Sequence, residues 1–499
     1  MKKIISILVF CVIASTSLFA QVRQEGELVD QYGVKVNTEE INTTIQNGIL
    51  VFKSNDSDYK LWLDARVNLD GAAFFGPGEK LEPIGNGVSV RRARFAVKAQ
   101  ILKNWYGEVD MDMADGAFEL KDAIIRYDGV KNLQIQMGNF KEFLLTQRNT
   151  SSRNLTLIER PMMASALTPS RSIGINFKYS IPLIWASAGY FFQEVKGIEE
   201  LELVQDNNKD MGINPGSSIN AKLAIRPINK LHSGLAFSGA YSYRTPKSSS
   251  SLYDYEEEEY EYGFRYSTRA TTSINRKKYL DTNGIPGENE QIYNGEILAY
   301  HNGFRFEAAY QGVTVKVDGD RKQEINDFIA DEEYDGDHDE AFEDSNDYLA
   351  FDNSNKTFYG YYAQASYLLF GGKNRYDAGG HKMTRPTRGK DWGDIELVAR
   401  YDYLNLNTGF TTNDIMGGSA SAYTFGINYY INRQVKLMVN YQYTDNDEYA
   451  NGKKGKWDSG YDSEGEGVKG FKMERRGDEM TDRCGIDFSA VSFRIQIAF

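Results

Sequence analysis

Cysteine is nearly missing from this chain, with two in 499 residues, Cys11 and Cys484. Cys11 lies in the opening stretch MKKIISILVFCVIASTSLFAQ, whose two lysines, apolar run and small Ala20 before Gln21 read as an export signal over residues 1–20. The exported chain then keeps Cys484 alone, which excludes an intramolecular disulfide framework. Long apolar runs are also missing after the opening, so a membrane helix of ~20 residues is excluded and strands are the one route into a bilayer. Histidine is just as thin. His232, His301, His338 and His381 lie in four separate segments, with no nucleophile motif, Walker loop or metal-spaced cluster beside them. The nearest approach to a base and a nucleophile is His232 beside Ser233, so neither an enzyme nor a bound cofactor or metal is expected.

Excess positive charge is the next thing lacking, since the formal net charge is −13. The deficit is local. Residues 318–352 hold 15 acidic side chains against Arg321 and Lys322, a net of −13 that equals the total for the chain. The rest therefore sums to zero, and the average says little about any one surface. Within that run DGDHDE, Asp335–Glu340, imitates a calcium loop but has Glu340 at the sixth position and Asn346 at the twelfth, so it is not an EF-hand. It reads as a solvated acidic loop, with loose divalent bridging to lipopolysaccharide as the alternative. RGD at Arg476–Asp478 reads as a chance tripeptide in a loop.

What is abundant is alternation. The chain ends AVSFRIQIAF, where Val491, Phe493, Ile495, Ile497 and Phe499 share one face of a strand and Ser492, Arg494 and Gln496 share the other. Sixteen such segments are expected: 59–70, 92–101, 106–113, 118–127, 133–137, 173–179, 184–192, 220–226, 231–243, 293–300, 304–317, 357–369, 394–404, 421–430, 434–444 and 488–499. Links after even-numbered segments are short and those after odd-numbered ones long, except that 114–117 is short and 370–393 long. One alternating strand fits a soluble sandwich. Sixteen of them with an export signal, polar second faces and 33 Tyr fit a transmembrane antiparallel β-barrel of about 16 strands. The mean hydropathy of −0.52 does not oppose this, because half of a large barrel's wall faces water. The division expected is 1–20 signal, 21–47 N-terminal periplasmic segment and 48–499 barrel. Tyr359, Tyr361, Tyr362, Tyr429, Tyr430, Tyr441 and Tyr443 are expected to contribute to girdles at the membrane boundary.

Two basic stretches matter in a barrel. In VRRARFAVKAQ, Ala93, Phe95, Val97, Ala99 and Ile101 turn to lipid, so Arg92, Arg94, Lys98 and Gln100 face the lumen, with no acid in the stretch. Arg66 faces the lumen on the first strand. The link after the fifth strand, GNFKEFLLTQRNTSSRNLTLIERPMMASALTPSR, carries Lys141, Arg148, Arg153, Arg160 and Arg171 against Glu142 and Glu159. A ring of such charges in a low-dielectric wall concentrates anions, and a guanidinium offers two parallel donors to a phosphate or carboxylate. The link 370–393 is basic too, with Lys373, Arg375, His381, Lys382, Arg385, Arg388 and Lys390 against Asp377 and Asp391. At a periplasmic mouth these residues are expected to help anions leave.

The stretches RRARF, GNFKEFLLTQRNTSSRNLTLIER with PSRSIGINF, NGFRFEAAY, YGYYAQASYLLFGGKNRY, WGDIELVARYDYLNLN, AYTFGINYYINRQVKLMVNYQY and FRIQIAF resemble the phosphate-selective porin O and P family, from about residue 48 to the end. The resemblance implies a sixteen-stranded homotrimeric channel in the outer membrane of a Gram-negative bacterium, with its third extracellular loop folded inward as a constriction. It implies Arg153 and Arg160 as the loop's basic positions, Arg91, Arg92 and Arg94 on the strand, and Phe499 as the assembly signal. Members best known for phosphate carry arginine at nearly every second position of one strand, whereas INAKLAIR offers Lys222 and Arg226. The expected function is passive diffusion of small anions, phosphate or similar, past Arg66, Arg91, Arg92, Arg94, Lys98, Arg148, Arg153, Arg160 and Arg171. The alternatives are a non-selective general porin and a barrel that binds or adheres through its loops. Expected partners are small anions, outer-membrane lipid, lipopolysaccharide and two further copies of the chain, with no nucleic acid.

Overall fold

The computed structural model describes residues 40–46, 48–76, 84–114, 118–192, 213–214, 216–246, 248–249, 263–269, 272–334, 349, 351–409, 414–447, 449–450, 458–461, 467–469, 482–483, 485 and 487–499. The export signal, Cys484, His338, the DGDHDE stretch and RGD lie outside the described residues. Sixteen strands form one antiparallel wall: β1 (Lys60–Phe75), β2 (Gly87–Ile101), β3 (Trp105–Asp112), β4 (Glu119–Val130), β5 (Leu133–Phe140), β6 (Ser172–Ser180), β7 (Ile184–Phe192), β8 (Ser217–Lys230), β9 (Ser233–Arg244), β10 (Gly287–His301), β11 (Phe304–Val317), β12 (Lys356–Leu368), β13 (Asp394–Asn407), β14 (Met416–Tyr430), β15 (Val435–Asn446) and β16 (Phe488–Ala498). Each pairs with the next, and β16 returns to β1 with Ser489 opposite Phe75 and Ala498 opposite Arg66. The barrel is closed. The sixteen alternating segments of the sequence are these sixteen strands. Several run further than alternation indicates, as in β1 beyond Asp70, where small residues obscure the two-residue period, and β10 from Gly287, where a run of polar residues does.

Burial decides between sandwich and barrel. On β16, Phe493, Ile495 and Ile497 are 40–43% exposed, while Arg494 is 1% and Gln496 0% exposed. A water-soluble sheet would reverse this, so the apolar face belongs against lipid. Period two also corrects two of the expected girdle tyrosines. Tyr362 and Tyr430 are buried on the inner face, and Tyr430 donates to Glu396 at 2.6 Å, whereas Tyr361, Tyr441 and Tyr443 are outward and exposed.

The short-turn rim uses left-handed residues where two-residue hairpins need them, Asn132 (φ 63°) and Asn302 (φ 47°). Below the end of β16, where Phe499 exchanges backbone hydrogen bonds with Ala65, the wall continues as a hairpin of Ile41–Gln46 and Ile49–Ser54. Its second strand pairs Val51–Lys53 with Trp62–Lys60 of β1, so the hairpin runs across the sequence division drawn at residue 48. The long link 370–393 turns back as a small hairpin, Arg375–Asp377 with Lys382–Thr384. Tyr376 and Asn374 bond the turns at Leu231 and Asn302, and Arg385 bonds Asn432 and Val435 on the far side. Trp185 and Arg226 donate to its carbonyls at Gly379 (2.8 Å) and Ala378 (2.6 Å).

Most of the apolar core lies inside the barrel. Leu144, Leu145, Met162, Met163 and Leu167 of the link after β5 cluster with Tyr266, Leu280 and Ile285 of the link after β9 and with inward residues such as Val313, Phe358 and Leu404. Two glycines make room. A Cβ on inward Gly426 would lie 2.5 Å from Leu157, and one on Gly360 would lie 2.9 Å from Met163.

Candidate constriction

Residues 141–171 are tied by their backbone to inward side chains of the wall. Arg494 donates to Ile158 O (2.7 Å), Lys436 to Leu155 O (2.7 Å), Asn428 to Thr156 O (2.8 Å) and Arg400 to Glu159 O (2.9 Å). Carboxylates hold the amides, with Thr146 N donating to Glu296 and Met162 N to Asp402, each at 2.8 Å. The segment contains three short helical turns, Thr146–Asn149, Ser152–Asn154 and Met162–Ala166, too short to satisfy their own backbone. The wall supplies those bonds instead.

The strand cations reach the same region through a bulge. Asn68 lies opposite Arg92 but Leu69 lies opposite Val90, which leaves Arg91 as the extra residue. Alternation alone would send Arg91 outward. Instead its Nε donates to Glu159 at 2.9 Å, beside Arg92. Burial favours the neutral acid at Glu159, but Arg91, Arg92 and Arg494 outweigh it and hold this carboxyl far below the ordinary range.

Of the nine cations expected here, five face carboxylates. Arg94 bonds Asp112 (2.9 Å) and Asp110 (3.5 Å), and Lys98 bonds Asp64 (2.8 Å) and Glu108 (3.3 Å). Arg153 also bonds Asp64, Arg171 takes Asp122 through two donors at 3.0 and 3.2 Å, and Arg91 takes Glu159. Arg148 donates to Pro169 O among its contacts. Arg160 donates to Gln147 O and Thr150 O, and Lys141 to Arg148 O. Burial lowers the pKa of Arg160 and of Lys141 well below the usual values, and the facing cations, Arg148 for both, push the same way.

Arg66 and Arg92 differ from all of these. They are 5% exposed, and among the described residues they make no hydrogen bond and no ion pair; Arg66 Nε and Arg92 Nη1 are fully buried donors without an acceptor. Asn68, between them in the register, is 0% exposed with neither amide atom bonded to a described residue.

The absence of acid beside the β2 cations is corrected by pairing, because β3 brings Glu108, Asp110 and Asp112 against them. Their signal was in YGEVDMD, where the three acids alternate with Val109 and Met111 and so share the lumen face. The carboxylates of Glu108, Asp110 and Asp122 lie within 4.8 Å of one another, but each is already matched by Lys98, Arg94 or Arg171, so the cluster has its own cations. Lys222 and Arg226, where an arginine run was sought, are also engaged, Lys222 with Glu296 and Thr146 and Arg226 with carbonyls of the 370–393 hairpin.

The family model of phosphate-selective porin O and P matches residues 63–459, most of the barrel. The chain belongs to that family. It is an outer-membrane porin, a channel protein rather than an enzyme. A curated protein of Caulobacter vibrioides described as uncharacterized is 22% identical over 399 residues, covering 78% of this chain and 69% of that one. Among solved structures the porin is similar to an anion-selective porin from Comamonas acidovorans (12% identity, 88% of this chain and 100% of that one, TM-score 0.45). It is also similar to the outer-membrane channel DcaP of Acinetobacter baumannii (10% identity, 90% and 99% covered, TM-score 0.45).

Proposed function

We propose that this porin is a passive diffusion channel that prefers small anions, phosphate or a similar oxyanion, at a constriction between residues 141–171 and strands β1 and β2. The observation that carries the reading is the pair Arg66 and Arg92, buried guanidiniums whose Nε and Nη1 donors, respectively, meet no acceptor among the described residues. A buried cation without a partner is costly, and an anion passing it relieves that cost transiently. Exit requires that binding be weak, and the neighbouring Arg94–Asp112 and Lys98–Asp64 pairs dilute the positive field. Lys373, Arg375 and Lys382 on the 370–393 hairpin add positive charge at the periplasmic mouth and favour release there.

The carboxylates of β3 and β4 favour a second reading, a general porin with little preference. Planar-bilayer recordings across a KCl gradient separate the two. Stepwise conductance with a reversal potential biased toward chloride supports the anion channel, a potential near zero supports the general porin, and no steps at all supports a closed barrel that works through its loops.

The assembly proposed is a homotrimer. In support, β3 and β5 have eight residues and β6 and β7 nine, against 14 or more in β10, β11, β13 and β14. At the usual tilt eight residues rise about 20 Å, less than the ~25 Å lipid-facing band, so this low side suits contact with protein. Cross-linking through cysteines placed on outward Val109 and Ile125 is expected to give trimers on gels, and monomers alone would oppose the assembly.

A further inference from the structure

Aromatic side chains on this wall mostly face outward. Trp105 packs on Tyr127 at 4.7 Å and Trp392 on Phe370 at 4.8 Å, both exposed on the outer face where girdles form. Trp185 faces inward but is 1% exposed and spends its N–H on Gly379 O. Trp62 is unlike them. It lies on the lumen face of β1, opposite Lys98 in the register, half-buried, and its indole N–H makes no hydrogen bond to a described residue. The ring of Tyr106, on the lumen face of β3, lies 5.9 Å away at 44°. Its hydroxyl donates to Glu108 at 2.5 Å, and the Arg126 guanidinium covers one of its faces at 4.1 Å.

An aromatic pair in an aqueous bore keeps apolar ring area wet, which is unfavourable unless something apolar passes over it. Around the rings stand planar or charged groups at fixed positions: Asp64, Lys98 and Glu108 in one ion-paired row, and Gln100, which accepts from Lys60 at 3.4 Å. A stacking face bordered by carboxylate, amide and ammonium groups is complementary to a pyranose, whose C–H faces are apolar and whose hydroxyls ring the edge. Lys60, Lys98 and Arg126 supply cations beside the same rings.

We propose that Trp62 and Tyr106 form a solute platform on the periplasmic side of the arginines, which gives this channel a preference for pyranose sugars bearing an acidic group over open-chain anions of the same charge. The proposal rests on the anion-channel reading for the acidic group and on the aromatic pair for the ring. A solute is drawn in by the field of Arg66 and Arg92 and then passes over Trp62 with its hydroxyls toward the Asp64–Lys98–Glu108 row.

The test uses the full-length porin in planar bilayers and measures block of the chloride current by glucuronate, a pyranose acid, by gluconate, an open-chain acid of the same charge and similar size, and by neutral glucose. Glucuronate is expected to half-block at a concentration about five- to tenfold below gluconate, the range one aromatic stack supplies. Trp62→Ala is expected to erase that ratio and Trp62→Phe to keep most of it, while Leu61→Ala on the lipid face leaves it unaltered. Equal block by glucuronate and gluconate in the natural protein overturns the proposal, and so does a ratio that survives Trp62→Ala. The two readings fail separately. A reversal potential without anion bias, together with block by glucose that depends on Trp62, removes the anion channel and leaves the platform; anion bias with no ring-against-chain difference removes the platform alone.

Discussion

Two sets of cations share the wall beside the 141–171 segment. Arg94 and Lys98 each sit within 2.9 Å of a carboxylate, whereas Arg66 and Arg92, the first opposite Arg94 in the register, make no ion pair among the described residues. A pair of opposite charges at contact distance looks nearly neutral from the ~8 Å at which a solute ion begins to be felt in physiological salt. An unmatched guanidinium keeps both its field and its donors. The number of arginines on a lumen face is therefore a poor guide to selectivity, and the relevant quantity is how many remain unmatched once the neighbouring strand is in place.

Four substitutions probe this contrast, in decreasing order of effect. The largest effect is expected from Arg494→Ala, which leaves Asp70 buried and unpaired and cuts the tether to Ile158 O. Losing a buried ion pair of this kind costs about 3–5 kcal/mol, read as a lowered urea midpoint in detergent, and the freed segment is expected to raise single-channel conductance. Gly426→Val comes next, since its side chain meets Leu157, and overpacking costs about 1–3 kcal/mol by the same assay without altering a charge. Selectivity should then move only as far as the segment does.

His381 gives a pH effect. It is buried against Trp185 and bonded to Tyr376 at 2.5 Å, and burial, reinforced by Lys222 and Arg226, pushes its pKa well below 6.5. The unfolded chain takes up a proton as pH falls through 6.5 while the folded chain does not, so stability is lost on the acid side of that value. His381→Asn, which suits the left-handed backbone there (φ 44°), is expected to flatten the loss of melting temperature between neutral and mildly acid buffer. The smallest effect belongs to the exposed pair Lys316–Glu288. Lys316→Ala is expected to leave both the urea midpoint and the selectivity where they were.

The wall was legible because period two is a property of single strands, and residues such as Phe493 and Arg494 declare their faces without knowledge of neighbours. The closure of β16 on β1 followed from the same pattern. What single strands cannot reveal is register. The bulge that turns Arg91 inward, the Asp110 and Asp112 that meet Arg94, and the lack of an ion pair at Arg92 among the described residues all depend on which residue lies across from which. The hairpin within 370–393 was visible as an overlong basic link, but its path was not, because Arg226 and Trp185 hold it from more than 140 positions earlier. The Trp62–Tyr106 pair was hidden similarly, with the two rings brought together across β2.

The division between matched and unmatched arginines shows most plainly in the reversal potential in a KCl gradient for two double variants compared with the natural protein. In Arg66→Gln/Arg92→Gln both unmatched cations are removed, and anion preference is expected to fall about twofold or more, the scale of a local potential of about one kT. In Arg94→Gln/Asp112→Asn a matched pair is removed with no change in net charge, and the potential is expected to stay where it was. If the first variant leaves selectivity unaltered, or the second abolishes it, the division between matched and unmatched arginines is wrong.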